Sequence, residues 1–204
     1  MIVARLNWYL EKQNLIAKEQ AGFRPNRSTS HQITYITQEI KNAFNKSESV
    51  LAVFVDLKGA YDTVWRTKLI CKLKDMNVKD NMLEWFKKFL SQRWIATKYN
   101  NHTSSYKQTK VGLPQGAVSS TTLFNLYVND LPKEFKSIEN INTCMFADDI
   151  IIWTKSRNDK KQQVNLETKI NEALTKLQNW AETNNMQINT HKTNYQFFSM
   201  KHKK

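Results

Sequence analysis

A chain of 204 residues, 40% of them hydrophobic, is long enough to bury a core of its own without disulfide or metal staples. Its formal net charge of +13 suits a polyanionic partner such as nucleic acid, although an AT-rich coding sequence, heavy in Lys and Asn, yields a similar excess. Cys71 and Cys144 give neither zinc spacing nor a disulfide framework, the N-terminal stretch lacks the apolar centre of a signal peptide, and no apolar run reaches the length of a membrane span. These features predict an intracellular protein, nuclear or cytoplasmic, with no membrane partner.

Residues 1–14 read as a short amphipathic helix. Ser30 is the expected N-cap of a second helix over 31–46, with Ile33, Ile36, Ile40 and Phe44 on one face. Residues 50–56 read as a buried strand, followed by helices around 64–75 and 79–91. Residues 93–99 and 104–111 read as a hairpin around Asn100-Asn101. A helix over 117–130 follows, then a hairpin over 143–153 with Asp148-Asp149 at its turn. A long amphipathic helix is expected over 161–184, a last strand over 194–199, and a basic tail over 201–204. Strands interleaved with helices argue an α+β fold, a small antiparallel sheet covered on one face by helices, in the order of a split βαβ unit.

The most informative feature is Asp148-Asp149 inside the apolar run Met145 to Trp153. Uncompensated charge in such a run is costly, and hard divalent cations are the usual partners of clustered carboxylates. Asp56 ends a second apolar run, Val53-Phe54-Val55. An acid at one strand end and two at a neighbouring hairpin can meet at one edge of a sheet, the acidic cluster that two-metal phosphoryl transfer requires. An exposed Asx turn would carry the same dipeptide. The chain has only four glycines, and each lies in a segment of interest: Gly22, Gly59, Gly112 and Gly116. Residues 51–110 hold 12 Lys and Arg against 5 Asp and Glu. Within them, Trp85, Phe86 and Trp94 interleave with Lys87, Lys88 and Arg93, a pattern that suits core packing or a stacking surface.

Three segments, Asp56 to Asp62, Gly112-Leu113-Pro114-Gln115-Gly116 and Phe146-Ala147-Asp148-Asp149, resemble in order and spacing the palm of a reverse transcriptase. The likeness is to non-LTR (LINE-type, jockey-like) retrotransposons, and the Phe-Ala-Asp-Asp box is similar to that branch rather than the retroviral one. Ala21-Gly22-Phe23-Arg24-Pro25-Asn26-Arg27-Ser28-Thr29, the stretch Leu123 to Pro132, and Ile188 to Thr193 resemble further segments in family order.

The resemblance implies a polymerase palm with part of the fingers and no thumb: partial fingers over 1–49, palm with inserted helices over 50–200. It implies attack of a primer 3′-hydroxyl on the α-phosphate of a dNTP along an RNA template, with two Mg²⁺ ions, or Mn²⁺ in their place. Asp56, Asp148 and Asp149 would hold the ions. Tyr61 would lie under the nucleotide sugar and exclude a 2′-hydroxyl. Gln115 and Gly116 would pack beneath the nascent pair, with Pro114 against the template, and Lys192 would steady the leaving pyrophosphate. Arg24 and Arg27, two of six arginines, would contact template through planar guanidinium groups. Target-primed elements of this kind imply a nuclear step. A second reading is a catalytically inactive nucleic-acid-binding remnant or co-opted fragment of such an element. A third is a nucleotidyl cyclase or other palm-like phosphotransferase.

Overall fold

The computed structural model describes residues 1–157 and 160–200; the basic tail expected at 201–204 lies outside them. In chain order the elements are α1 (Ile2–Lys12), α2 (Thr29–Asn45), β1 (Glu48–Val55), α3 (Ala60–Thr63), α4 (Arg66–Asp75) and α5 (Asp80–Leu90). Then come β2 (Arg93–Ile95), β3 (Lys98–Tyr99), β4 (His102–Thr103), β5 (Lys107–Thr109), α6 (Val118–Tyr127) and α7 (Leu131–Glu134), followed by β6 (Asn142–Phe146), β7 (Asp149–Arg157), α8 (Lys160–Thr183) and β8 (Asn194–Phe198). The chain divides into two compact units. One joins Met1–Leu15 to Tyr61–Tyr127, and the other joins Ile16–Ala60 to the chain from Val128 on.

The second unit is built on one antiparallel sheet with strand order β6-β7-β1-β8. That is the strand order of a split βαβ unit. Both faces of β1 are buried, with Val50 and Ala52 on one side and Leu51, Val53 and Val55 on the other, which is why its sequence is continuously apolar rather than alternating. The helical cover on a single face that the sequence suggests therefore falls short. On one face Ile36 and Ala43 of α2 pack with Val50, Ala52, Cys144 and Trp153. Burial pushes the Cys144 thiol up to about 11. Helix α8 packs on β7 and β1 and buries Leu166, Ile170, Ala173, Leu177 and Trp180.

The cap of α2 is Ser28 rather than Ser30. Its hydroxyl accepts the His31 backbone N–H (3.4 Å) while His31 Nδ1 accepts the Ser28 N–H (3.2 Å), a reciprocal box that satisfies two end donors. Helix α2 begins two residues earlier than expected, and Ile33 stands 63% exposed instead of joining the face of Ile36.

The first unit is mainly helical. Helix α4 packs on α5 and α6, and α1 on α6. Helix α6 is buried nearly all round, from Ser119 to Tyr127, as expected of a helix that lacks a polar stripe. Leu83, Phe86 and Leu90 of α5 are buried as their spacing predicts. The hairpin over 93–111 is two short ladders, β2 with β5 and β3 with β4, turning at Asn100-Asn101. Of the aromatic and basic cluster, Phe86 belongs to the core, Trp85 stacks on Phe89 at 5.0 Å, Arg93 lies 4.9 Å over the Phe89 ring, and Trp94 is 58% exposed.

Candidate active site

The expected site residues divide between the two units. In the sheet unit, β1 and β7 pair in register to Val55↔Ile150, and β6 and β7 to Phe146↔Asp149. Continuing the first register by one residue sets Asp56 across from Asp149 at the same end of the sheet. The turn residues of the hairpin are Ala147 and Asp148, with Asp149 already the first residue of β7. The two acids therefore do not share the turn as the sequence suggests; one sits in it and the other begins the strand. Like charges directly opposite one another repel. Accordingly, desolvation pushes the Asp149 carboxyl above its ordinary range, and the negative charges of Asp148 and Asp56 push it further. Among the described residues no cationic side chain pairs with any of the three carboxylates.

Carboxylate oxygens of this kind suit a hard divalent ion, which would relieve their mutual repulsion. Among the described residues no three acidic, His or Cys side chains stand as a ready-made metal cage. The donor chemistry fits, and the remaining ligand positions would fall to water or other oxygen donors from outside the chain, as Mg²⁺ usually requires.

Backbone contacts fix Asp56 from the other side. Its N–H donates to Thr193 Oγ1 (3.3 Å), its carbonyl accepts the Asn189 N–H (2.8 Å), and the Lys58 N–H donates to the Gln187 carbonyl (2.8 Å). The turn that carries the exposed Lys192 is thus docked on the backbone of Asp56, closed by a Lys192 N–H to the Asn189 carbonyl (3.1 Å).

The hairpin turn is held from behind. Ala147 has φ +57°, a left-handed conformation uncommon outside Gly and Asn. The Gln20 side-chain amide engages both its backbone groups. Gln20 Oε1 accepts the N–H of Ala147 (2.9 Å) and of Gly22 (2.8 Å), while Gln20 Nε2 donates to the Ala147 carbonyl (3.1 Å). Gly22 approaches so closely that a Cβ there would lie 2.2 Å from the Ala147 nitrogen. Arg24 turns its guanidinium onto the carbonyls of Ala17 (2.9 Å) and Gln20 (3.0 Å), and Arg27 onto that of Lys18 (2.9 Å).

In the helical unit Tyr61 stacks on the buried ring of Phe124 at 4.6 Å. The Leu113 N–H donates to the Tyr61 carbonyl and the Gly112 N–H to that of Val64, both at 2.8 Å. Gly112 has φ +86° and no room for a Cβ, which would meet the Asp62 carbonyl oxygen at 2.9 Å. Gln115 Nε2 donates to Asp62 Oδ1 (2.9 Å), so Asp62 anchors the loop. The Pro114 carbonyl accepts from Ser120 Oγ (2.6 Å). Gly116 has φ +83° with open space beside it, where backbone can approach a ligand. Arg66 grips the carbonyls of Leu90, Thr109, Val111 and Gly112 and the Thr109 hydroxyl at 2.6 to 3.2 Å, which ties this loop to the stem of the β2–β5 ribbon.

Sequence reasoning missed Gln20, Thr193 and Arg66. Gln20 directly precedes the recognised Ala21-Gly22 segment, and Thr193 is the last residue of the recognised stretch Ile188 to Thr193, where no role was assigned to it; Arg66 carried no comparable signal.

Comparison with known proteins identifies the family. The family model described as reverse transcriptase (RNA-dependent DNA polymerase) matches residues 1–202, and the chain belongs to that family. The RNA-directed DNA polymerase from mobile element jockey of Drosophila melanogaster is 29% identical over 196 residues, which cover 94% of this chain and 21% of that protein. The corresponding jockey protein of Drosophila funebris is 28% identical over 196 residues, again 94% of this chain and 21% of its own length. The chain thus spans about a fifth of these curated relatives. Among solved structures, apo telomerase from Candida tropicalis superposes with a TM-score of 0.67 at 16% identity, covering 96% of this chain and 36% of that one, a likeness of fold. Among the described residues no helix is long and apolar enough to cross a membrane.

Proposed function

We propose that this chain is the polymerising segment of a non-LTR retrotransposon protein, an RNA-directed DNA polymerase that extends a DNA primer on an RNA template from dNTPs. The observation that carries the reading is the meeting of Asp56, Asp148 and Asp149 at one end of the β6-β7-β1 sheet, within a chain of the reverse transcriptase family. Asp56 and Asp148 hold the divalent ions, with Asp149 assisting. Bound there, Mg²⁺ ions supply charge neutralisation and activation of the attacking oxygen. The backbone of Asp56 directly follows the paired strand β1 and is held by the Asn189–Thr193 turn, so its carboxylate needs little reorganisation as charge develops. Lys192, exposed on that turn, steadies the departing pyrophosphate.

Tyr61, braced on Phe124, is the group that rejects a 2′-hydroxyl. Gln115, Gly116 and Pro114 form the surface beneath the nascent pair and template. Arg24 and Arg27 shape the 17–20 loop through its backbone carbonyls, and their planar cationic groups contact the template. In this assignment residues 1–49 belong to the fingers and 50–200 are the palm with inserted helices. The work takes place on chromosomal DNA, hence in the nucleus.

Primer extension on an RNA template with Mg²⁺ and dNTPs, parent against Asp148→Asn, tests this reading. Extension by the parent should fall by roughly a thousandfold in the variant, the scale of about 4 kcal/mol of transition-state stabilisation. Nucleic-acid binding without extension in either protein would instead favour the inactive remnant.

A further inference from the structure

We propose that Gln20 is the positioning residue of the carboxylate hairpin, its buried amide clasping both backbone groups of Ala147 so that the turn presents Asp148 in one conformation. The inference rests on the reading of Asp148 as a metal-holding carboxylate. Four observations carry it. Ala147 occupies a left-handed conformation that an alanine adopts only when its surroundings impose it. It is 6% exposed, so its N–H and carbonyl would lack water if they lacked a protein partner. Gln20 is 1% exposed and meets both groups, at 2.9 and 3.1 Å, while its oxygen accepts a second N–H from Gly22 at 2.8 Å. Finally, the backbone around Gln20 is itself pinned to the hairpin. Met145 N–H donates to the Glu19 carbonyl (2.8 Å), Ala21 N–H to the Met145 carbonyl (2.9 Å), and Arg24 holds the Gln20 carbonyl.

The chemistry selects glutamine. A single planar amide offers one acceptor and one donor in the spacing that matches a peptide unit. Glutamate keeps the acceptor, loses the donor and sets a negative charge against the Ala147 carbonyl. Methionine fills similar space and offers neither. Gln20 touches no reacting group; it acts through the turn, as outer partners of metal ligands do.

The test compares the parent with Gln20→Met, Gln20→Glu and Leu177→Ala. Leu177 is a fully buried residue of α8 and serves as a control for simple loss of stability. Mn²⁺ uptake without nucleic acid, followed by the electron paramagnetic resonance signal of free Mn²⁺, is read beside thermal midpoints and hydrogen exchange of the Ala147 amide. The half-saturating Mn²⁺ concentration should rise about tenfold or more in Gln20→Met and by less in Gln20→Glu. It should stay at the parental value in Leu177→Ala even though that variant melts earlier. In primer extension kcat should fall by a similar factor, with KM for dNTP within about twofold. Parental Mn²⁺ affinity in both Gln20 variants, or an equal shift in Leu177→Ala, overturns the proposal. Should the parent show no Mn²⁺ uptake that Asp148→Asn removes, the functional reading is what fails. The clasp is then judged by the Ala147 amide, whose unchanged protection in Gln20→Met would refute it.

Discussion

Two hairpins of this chain close over two-residue turns, and they reach that shape by opposite means. Asn100-Asn101 is closed by the pair Tyr99↔His102, Ala147-Asp148 by Phe146↔Asp149. Each begins with a left-handed residue, φ +50° at Asn100 and +57° at Ala147. Asn tolerates that region because its short amide bonds locally. The whole of β3 and β4 is exposed and needs no outside support. Ala has no such help. Its conformation depends on a buried glutamine 127 residues away in sequence and on a glycine that leaves room for close approach. A turn shaped by its own residues is autonomous, and one shaped by its surroundings is only as well placed as they are. The carboxylate hairpin is of the second kind, which suits a position where small displacements matter.

Substitutions that exchange the two kinds of support sharpen the contrast. Gly22→Ala should have the largest effect. Its Cβ would sit 2.2 Å from one backbone atom and 2.9 Å from another of Ala147, so the turn must move, with a loss of about 3 kcal/mol in chemical denaturation, the upper end of overpacking costs. A loss under about 0.5 kcal/mol, the scale of an ordinary surface change, would show that the two segments separate freely. Ala147→Gly works in the other direction. Relief of about 1–2 kcal/mol of left-handed strain, less about 0.5–1 kcal/mol of added chain entropy, should leave the variant slightly more stable. Asn100→Ala should move the melting midpoint hardly at all, since an exposed tip opens independently of the global transition; a drop comparable to that of Gly22→Ala would erase the distinction.

The smallest effect concerns the residues that close the turns, His102 in one and Asp149 in the other. The folded-state value of Asp149 lies above its ordinary 3.8, so the folded chain holds that proton more tightly than the unfolded chain. The associated stability is present below the unfolded value and is lost as pH rises through the folded one. In metal-free buffer Asp149→Asn should therefore be the more stable protein at pH 7, with the advantage shrinking as pH is lowered toward 4. Urea midpoints across that range decide it, and a variant weaker than the parent at pH 7 would contradict the assigned repulsion.

The same contrast explains what the sequence reveals. The Asn100-Asn101 turn is legible because its chemistry is local, and the strand before Asp56 is legible because burial on both faces writes an unbroken apolar run. The meeting of Asp56 with the Phe-Ala-Asp-Asp segment follows from strand ends and family order. The placement of the turn one residue early does not, because it depends on Gln20, and a polar side chain fully buried by a distant partner has no signature in its own neighbourhood. The Ser28 cap was missed for a related reason. Ser28, Thr29 and Ser30 are all plausible caps by type, and the choice falls to His31, whose ring completes the box only from Ser28. Arg66 likewise reads as one more cation in a basic stretch until its carbonyl partners are seen.

Arg66 also bears on what this segment can tolerate as its gene drifts. One guanidinium gathers carbonyls from α5, from β5 and from the approach to Gly112. A lysine offers one rotatable ammonium in place of a planar fork and cannot span the same set. The Gly112 and Leu113 N–H groups still tie the loop to Val64 and Tyr61, so a single conservative codon change would loosen the loop from the ribbon stem while every helix nearby stayed folded, and a copy could lose the shape of this loop long before it lost its fold.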